Sequence, residues 1–366
     1  MSCRVVICCG AGGVGKTTCS AALALELARQ GARVAALTID PAKRLADSLG
    51  IEVSGHPQSV PTDRLKDCKG SLDAMVLDVK QTFDDVVRRY APSPDARDRI
   101  LANHYYGFVS TKLPGAHEYM AMERLYQLYT DGDYDFIVLD TPPTRNAMDF
   151  LTAPRRMAAL MDDGVMGVLS GKKSAGIRWF TRGSSTAISA LSKLVGLKTI
   201  TDITEFFSLF RELWQGFKER SQSVDALLRT DCTRFLLVTT PAFNAQEEAE
   251  EFMKLLTAEN LPIGGVLLNR VTPLPTSTNP IPLKRFPPRP KEIEEQAWKE
   301  VVASVAQATT RAKARHANEK ATVQQMGKEV SNAPCWHIPL RREEVSDLSD
   351  LAALASVLKP VADALN

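Results

Sequence analysis

Lys16, Thr17 and Thr18 stand directly behind a run that holds Gly10, Gly12, Gly13 and Gly15. Each of these residue types has a physical use around a polyphosphate. Glycines let backbone N–H groups turn inward on an anion, and a helix N-terminus adds partial positive charge. A lysine brings an ammonium to the β- and γ-phosphates, and a threonine hydroxyl is a ligand for Mg²⁺. The spacing G-x-x-x-x-G-K-[ST] is that of a phosphate-binding loop, which requires a strand before it and a helix after it. The apolar run Val5–Cys9 reads as that strand and Ala21–Gln30 as that helix. The expected phosphate contacts are Gly10, Gly12, Gly13, Val14, Gly15, Lys16, Thr17 and Thr18, with Lys16 also stabilising charge on the transferring phosphoryl group.

Two other readings compete for the same glycines. Gly10, Gly12 and Gly15 also fit the dinucleotide fingerprint G-x-G-x-x-G, with Asp40 placed as a ribose-binding acid. That rival leaves the Lys16-Thr17 pair unexplained. A glycine-rich turn without chemistry leaves more unexplained still, so nucleoside triphosphate binding is the expectation.

A second acid-ended strand follows in the Walker B form. Asp135–Asp140 (DFIVLD) is four hydrophobes closed by an acid, and Asp140 is expected to hold Mg²⁺ together with Thr17. Asp40 stands just beyond another buried strand, Arg33–Ile39, where a carboxylate faces the ligand crevice of an α/β sheet. A cap on the helix Arg44–Leu49 is its alternative role, and both can hold at once.

The rest of the chain bounds the fold. Its 366 residues carry 45 Lys plus Arg against 43 acids, so bulk charge gives no case for nucleic acid or an anionic membrane. No apolar stretch approaches a membrane span and the N-terminus lacks the form of a signal peptide, so the expectation is a cytoplasmic protein without an integral membrane segment. The seven cysteines show no C-x-x-C pair and read as small buried hydrophobes. Cys8 and Cys9 are adjacent in a strand, so their side chains should point to opposite faces.

Further strands are read at Met75–Val79, Arg234–Thr240, Gly265–Asn269 and Cys335–Pro339, and helices at Gln81–Tyr90, Asp95–Tyr106, His117–Tyr129 and Gln246–Leu256. Lys291–Glu329 reads as a long polar helix in a protruding hairpin arm, and Asp347–Leu358 as a final helix stopped by Pro360. Alternation of strands and helices near both ends gives a mostly parallel central sheet flanked by helices, an α/β P-loop NTPase. The central block is helical and is expected to form an inserted α-helical lobe. The nucleotide-binding domain is thus 1–80, 131–150 and 231–366, and the lobe 81–130 and 151–230. A Gly/Ser/Lys-rich patch at 170–186 interrupts that lobe and reads as mobile.

With the loop, Asp40-Pro41-Ala42, Pro114-Gly115 with Glu118, and Asp140-Thr141-Pro142-Pro143-Thr144 in this order, the chain resembles the ArsA-type ATPases. That family includes arsenical-pump ATPases and the ATPases that target tail-anchored membrane proteins. The resemblance runs from Val5 to about Leu351 and implies a Mg²⁺-dependent ATP hydrolase working as an ATP-closed dimer. It implies that Asp40 orients the attacking water and that Asp140–Thr144 couple hydrolysis to the lobe. Asn269 and the backbone at Pro339 are implied to flank the adenine.

The departures are specific. The family's signature Lys, which reaches the partner's phosphates, is Ala11 here, so either a homodimer hydrolyses slowly or a Lys-bearing paralogue completes a heterodimer. Lys43 stands where a His is common, Arg145 where switch II has Gly, and Ala242 where an acid is common near the adenine. No Cys pair can clasp a dimer through zinc, and no Cys trio of the arsenite-binding kind can be matched. Six of the ten methionines lie between Met120 and Met166; they read as lobe core, with a groove for a hydrophobic or membrane-protein client as the alternative.

Overall fold

The computed structural model describes residues 3–39, 44–52, 54–62, 65, 67–104, 106–107, 116–142, 152–153, 155, 213, 216–273, 288–330 and 333–366. Its centre is β1 (Arg4–Cys9), buried on both sides after its first residue. A strand covered on both faces reads as a continuous apolar run, which VVICC is. Val6 and Cys8 enter one core and Val5, Ile7 and Cys9 the other. The two adjacent cysteines therefore do face opposite ways.

Around β1 lie β2 (Arg33–Thr38), β3 (Gln58–Ser59), β4 (Ser71–Val76), β5 (Phe136–Asp140), β6 (Thr233–Thr239), β7 (Ile263–Val271) and β8 (Cys335–Pro339). Their order is β3-β4-β2-β5-β1-β6-β7-β8, so β1 has β5 on one side and β6 on the other. Every pairing is parallel except the two-residue β3, which runs antiparallel to β4. In such a sheet ligands bind beyond the carboxyl ends of the strands, where connections leave in opposite directions.

On one face α1 (Lys16–Arg29) packs against the sheet, and it is buried from Cys19 through Ala28. Such depth on all sides requires a second cover. That cover is α8 (Leu348–Val357) and α9 (Lys359–Leu365), whose Leu351, Leu354, Val361 and Leu365 join the same core. Asp347 caps α8 by accepting the Asp350 N–H at 2.8 Å. Pro360 begins α9 rather than ending the helical chain, since proline is suited to a helix's first turn.

The other face is covered by α5 (Ala116–Asp131), by the helical run 216–228 and by α6 (Phe243–Ala258). Beside it α3 (Val79–Tyr90), α4 (Pro94–Ala102) and α5 build a satellite core of Phe83, Val86, Ile100, Tyr119, Met120 and Phe217. Met120 and Met122 are fully buried; Met148, Met157, Met161 and Met166 lie outside the described residues, as does the patch 170–186. A short α2 (Arg44–Leu49) completes the first half.

Three expectations shift. The strand read at Met75–Val79 is β4, six residues that end at Val76, and α3 already begins at Val79 because the Asp78 carboxylate caps it at the Gln81 N–H, 2.8 Å. The polar run is one helix, α7 (Glu295–Val330); the residues 274–287 before it, on which the expected hairpin arm turns, lie outside the described residues. The helix does not simply protrude, because Val302, His316 and Glu319 on one of its faces are buried. Finally, Cys8, Cys9 and Cys19 are buried, whereas Cys3, Cys68, Cys232 and Cys335 are half-buried; none of the seven forms a disulfide.

Candidate functional site

Strand β1 ends at Cys9 and the chain turns through residues 10–15 into α1. Gly10 has φ +154°, and a Cβ there would collide with the Val238 carbonyl oxygen of β6. Gly15 has φ +90° and a Cβ there would sit 2.5 Å from Asn269 Nδ2. Glycine is thus required at both ends of the loop, at one by a neighbouring strand and at the other by β7. Gly12 and Gly13 are exposed at its crest, and Val14 is tucked beneath. Helix α1 starts from Gly15 with no side-chain cap and no acid in its first turn, so its N-terminal N–H groups and dipole are left for an anion.

Lys16 is 8% exposed, and its Nζ donates to the Ala11 carbonyl across the loop at 2.9 Å. Its ammonium therefore lies along the concave side of the turn. Thr18 lies on the same first turn, half-buried.

The sheet register brings the second motif here. Cys8 of β1 and Thr38 of β2 are both opposite Asp140 of β5. Asp140 is 1% exposed, and its Oδ2 accepts from Thr17 Oγ1 at 2.6 Å and from Thr38 Oγ1 at 2.9 Å. Thr141 follows and turns its hydroxyl back to the Cys8 carbonyl at 2.8 Å. Two hydroxyls gathered on one carboxylate at the mouth of the loop form an all-oxygen set, the donor chemistry of a hard, small cation that keeps several waters. Thr17 and Asp140 therefore fit Mg²⁺. Among the described residues no cluster of three His, Cys, Asp or Glu side chains competes for a metal.

On the opposite side Asn269 Nδ2 donates to the Val14 carbonyl at 2.8 Å, and its Oδ1 accepts the Arg270 N–H at 2.9 Å. Arg270 adopts φ +60° and is exposed. It lines, with Ala11–Val14, Thr240, Ala242, Asn244 and Glu248, a cleft of about 500 Å³. Pro339 pairs with Val271, so it lies at the same sheet end, beyond Asn269.

The structure thus brings Gly10–Thr18, Asp140 and Asn269 together, with Pro339 on the adjoining strand. Asp40 and its neighbours to Lys43, Pro114, Gly115, Thr144 and Arg145 lie outside the described residues. Two participants were not anticipated. Thr38 carried only the weak signal of a hydroxyl at the end of a predicted buried strand. Arg270 was visible as the charge following an apolar strand, but nothing in the sequence announced its left-handed backbone.

Comparison with known proteins agrees with this geometry. A family model described as anion-transporting ATPase matches residues 3–308. A protein of Aquifex aeolicus named as an arsenical pump-driving ATPase is 24% identical over 303 residues, 81% of this chain and 88% of its own length. ATPase GET3C of Arabidopsis thaliana is 27% identical over 283 residues, 72% of this chain and 66% of its own length. A Chlorobaculum tepidum protein, also named for arsenical pump driving, is 33% identical over 159 residues, which is 41% of this chain and 36% of the relative.

Proposed function

The chain belongs to the anion-transporting ATPase family, a family of ATP hydrolases, and on that premise we propose that it binds Mg-ATP on residues 10–18 and hydrolyses it to drive movement of its helical lobe. One observation carries the proposal. Thr17 and Asp140, 123 residues apart in the chain, meet at 2.6 Å beside an uncapped helix N-terminus and a buried lysine.

The chain's own groups divide the work. Amides of the loop and of the first turn of α1 hold the phosphate oxygens. Lys16 moves from the Ala11 carbonyl to the γ-phosphate and stabilises the charge that develops there. Asp40 orients the attacking water, and Asp140 passes the loss of the γ-phosphate to Thr141 and the residues after it. When bound, Mg²⁺ would be held by Thr17 and Asp140 and would supply positive charge that neutralises the phosphate oxygens. Asn269 and Pro339 flank the base. The lobe of 81–130 and 151–230 closes as a dimer over a hydrophobic or membrane-protein client, in a cytoplasmic setting. Among the described residues no helix is long and apolar enough to cross a membrane.

The experiment is phosphate release at millimolar Mg-ATP. Lys16→Ala and Asp40→Asn are each expected to lower turnover by on the order of a hundredfold; a rate unchanged by both refutes the assignment.

A second reading rests on Ala11. Its side chain is 7% exposed, and no cation can project from it toward a neighbouring copy's phosphates. In this reading the chain is the nucleotide-binding, weakly hydrolysing subunit of a heterodimer whose other member carries that lysine. Ala11→Lys separates the two: a clear rise in turnover of the isolated protein supports the heterodimer, and no gain counts against it.

A further inference from the structure

Asn269 braces the phosphate loop, yet the ladder does not hold Asn269. Between β7 and β8 the register passes from Leu268 opposite His337 to Val271 opposite Pro339, three residues against two. Asn269 and Arg270 therefore occupy an irregularity of the bulge kind, with Arg270 at φ +60°. Such bulges re-aim side chains, so what fixes the two flanks of this one bears on where Asn269 points. Leu268 is fixed by its ladder. On the far side the Leu340 N–H reaches the Val271 carbonyl at 2.8 Å, after which β8 offers no further partner.

Thr272 is the next residue, and each of its polar groups goes to α7. Its N–H donates to Glu319 Oε2 at 2.7 Å and its hydroxyl to Glu319 Oε1 at 3.0 Å. Its carbonyl meets His316 Nδ1 at 2.6 Å, and because a carbonyl only accepts, that nitrogen carries the proton. His316 and Glu319 are 8% and 7% exposed, and they are spaced i, i+3 on the same helical face as buried Val302. An apolar stripe would have sufficed to dock the helix. A histidine and a glutamate there satisfy a strand end that has lost its neighbour. Arg315 completes the set by donating to Glu319 Oε1 at 2.7 Å.

We propose that His316 and Glu319 are positioning residues of the nucleotide site: by clasping Thr272 they fix the bulge that aims Asn269 at the loop carbonyl of Val14, so the seating of α7 sets the affinity for ATP. This deepens the assignment of residues 10–18 as an ATP site and rests on it. The helix reaches 36 residues along the chain, and only the turn that carries 316 and 319 makes this clasp. Any partner that shifts α7 along its axis would therefore act on nucleotide affinity without touching the nucleotide.

The test is the full chain with Mg-ATP, reading KM and kcat separately. Glu319→Ala removes both acceptors and is expected to raise KM about fivefold, the effect of one net hydrogen bond, with kcat little changed. His316→Ala should act likewise, and His316→Asn, which carries an amide N–H near the Nδ1 position, should restore most of the loss. In an Asn269→Ala background Glu319→Ala should add almost nothing, because the group it positions is gone. A folded Glu319→Ala protein with wild-type KM overturns the proposal, as does a full fivefold effect retained without Asn269. Should Glu319→Ala fail to fold, Thr272→Val deletes only the hydroxyl contact; a raised KM supports the clasp and an unchanged one overturns it. Failure of the wild-type chain to bind Mg-ATP would instead sink the assignment of the site itself.

Discussion

Gly15→Ala places a methyl group where the structure has none to spare. The backbone there has φ +90°, which costs a residue with a Cβ roughly 1–2 kcal/mol. The new Cβ would also stand 2.5 Å from Asn269 Nδ2. That amide is the free end of a side chain, so it swings away rather than forcing the backbone, and its 2.8 Å hydrogen bond to the Val14 carbonyl is lost. The bond is worth about 1 kcal/mol net, making the single substitution cost roughly 2–3 kcal/mol. Asn269→Ala alone loses the same bond, about 1 kcal/mol. In the double variant the bond can be lost only once, so the pair should cost about 1 kcal/mol less than the sum of the singles. Urea unfolding of the four proteins, followed by fluorescence and circular dichroism together, measures this. Mg-ATP calorimetry on the same set should show both singles weakened. Additivity within about 0.5 kcal/mol would mean that Gly15 and Asn269 do not communicate, and the account of β7 as a brace for the loop would be wrong.

Burial pushes the thiols of Cys9 and Cys19 up to about 12 and that of Cys3 up to about 11. Brief maleimide treatment of the native protein at neutral pH, read by peptide mass spectrometry, should leave the buried Cys8, Cys9 and Cys19 unmodified while modification is confined to the half-buried cysteines. Burial raises the Glu319 carboxyl, but the Thr272 N–H, the Arg315 guanidinium and the Thr272 hydroxyl together outweigh it and leave the group below its ordinary value. A carboxylate depressed in the folded state contributes stability above its unfolded pKa and loses it as pH falls through the lower, folded value. Glu319→Gln should therefore be less stable than wild type at pH 7, with the gap closing below about pH 4, in a series of thermal melts. Asp347→Ala removes the cap on α8 and should cost about 1 kcal/mol without changing turnover; a stability loss near zero would mean that the final helices do not hold α1 in place.

The loop was legible in the sequence because its chemistry is local. Gly10, Gly15, Lys16 and Thr17 must stand at fixed offsets for a strand, a turn and a helix to present amides to one anion. Asp140 was nearly as legible, since an apolar strand closed by an acid is a short-range pattern whose meaning depends only on a loop upstream. What could not be read is what the register decides. Thr38 reaches Asp140 because β2 and β5 pair with those two residues opposite, and the pairing joins positions 102 apart. The strand at β4 was misplaced because Leu77 and Val79 extend its apolar run past Val76, while Asp78 between them caps a helix. Periodicity cannot weigh one capping hydrogen bond against two more hydrophobes.

The long helix shows the same limit from the other side. A face carrying His316 and Glu319 reads as solvated, because such side chains are rarely buried without partners. The partners here include the backbone N–H and carbonyl of Thr272, and backbone groups leave no trace in a sequence. Polar side chains on a predicted surface helix therefore become informative once a strand end is found nearby with no neighbour. At β7 the strand ends two residues past the amide that bonds the phosphate loop. The helix turn that satisfies Thr272 is thus linked, through Asn269 and its bond to the Val14 carbonyl, to the loop that carries Lys16, whose buried ammonium rests on the carbonyl of Ala11. On the proposed reading an arriving phosphate replaces that carbonyl at the ammonium, and the clasp on Thr272 bears on the exchange through Asn269 and Val14.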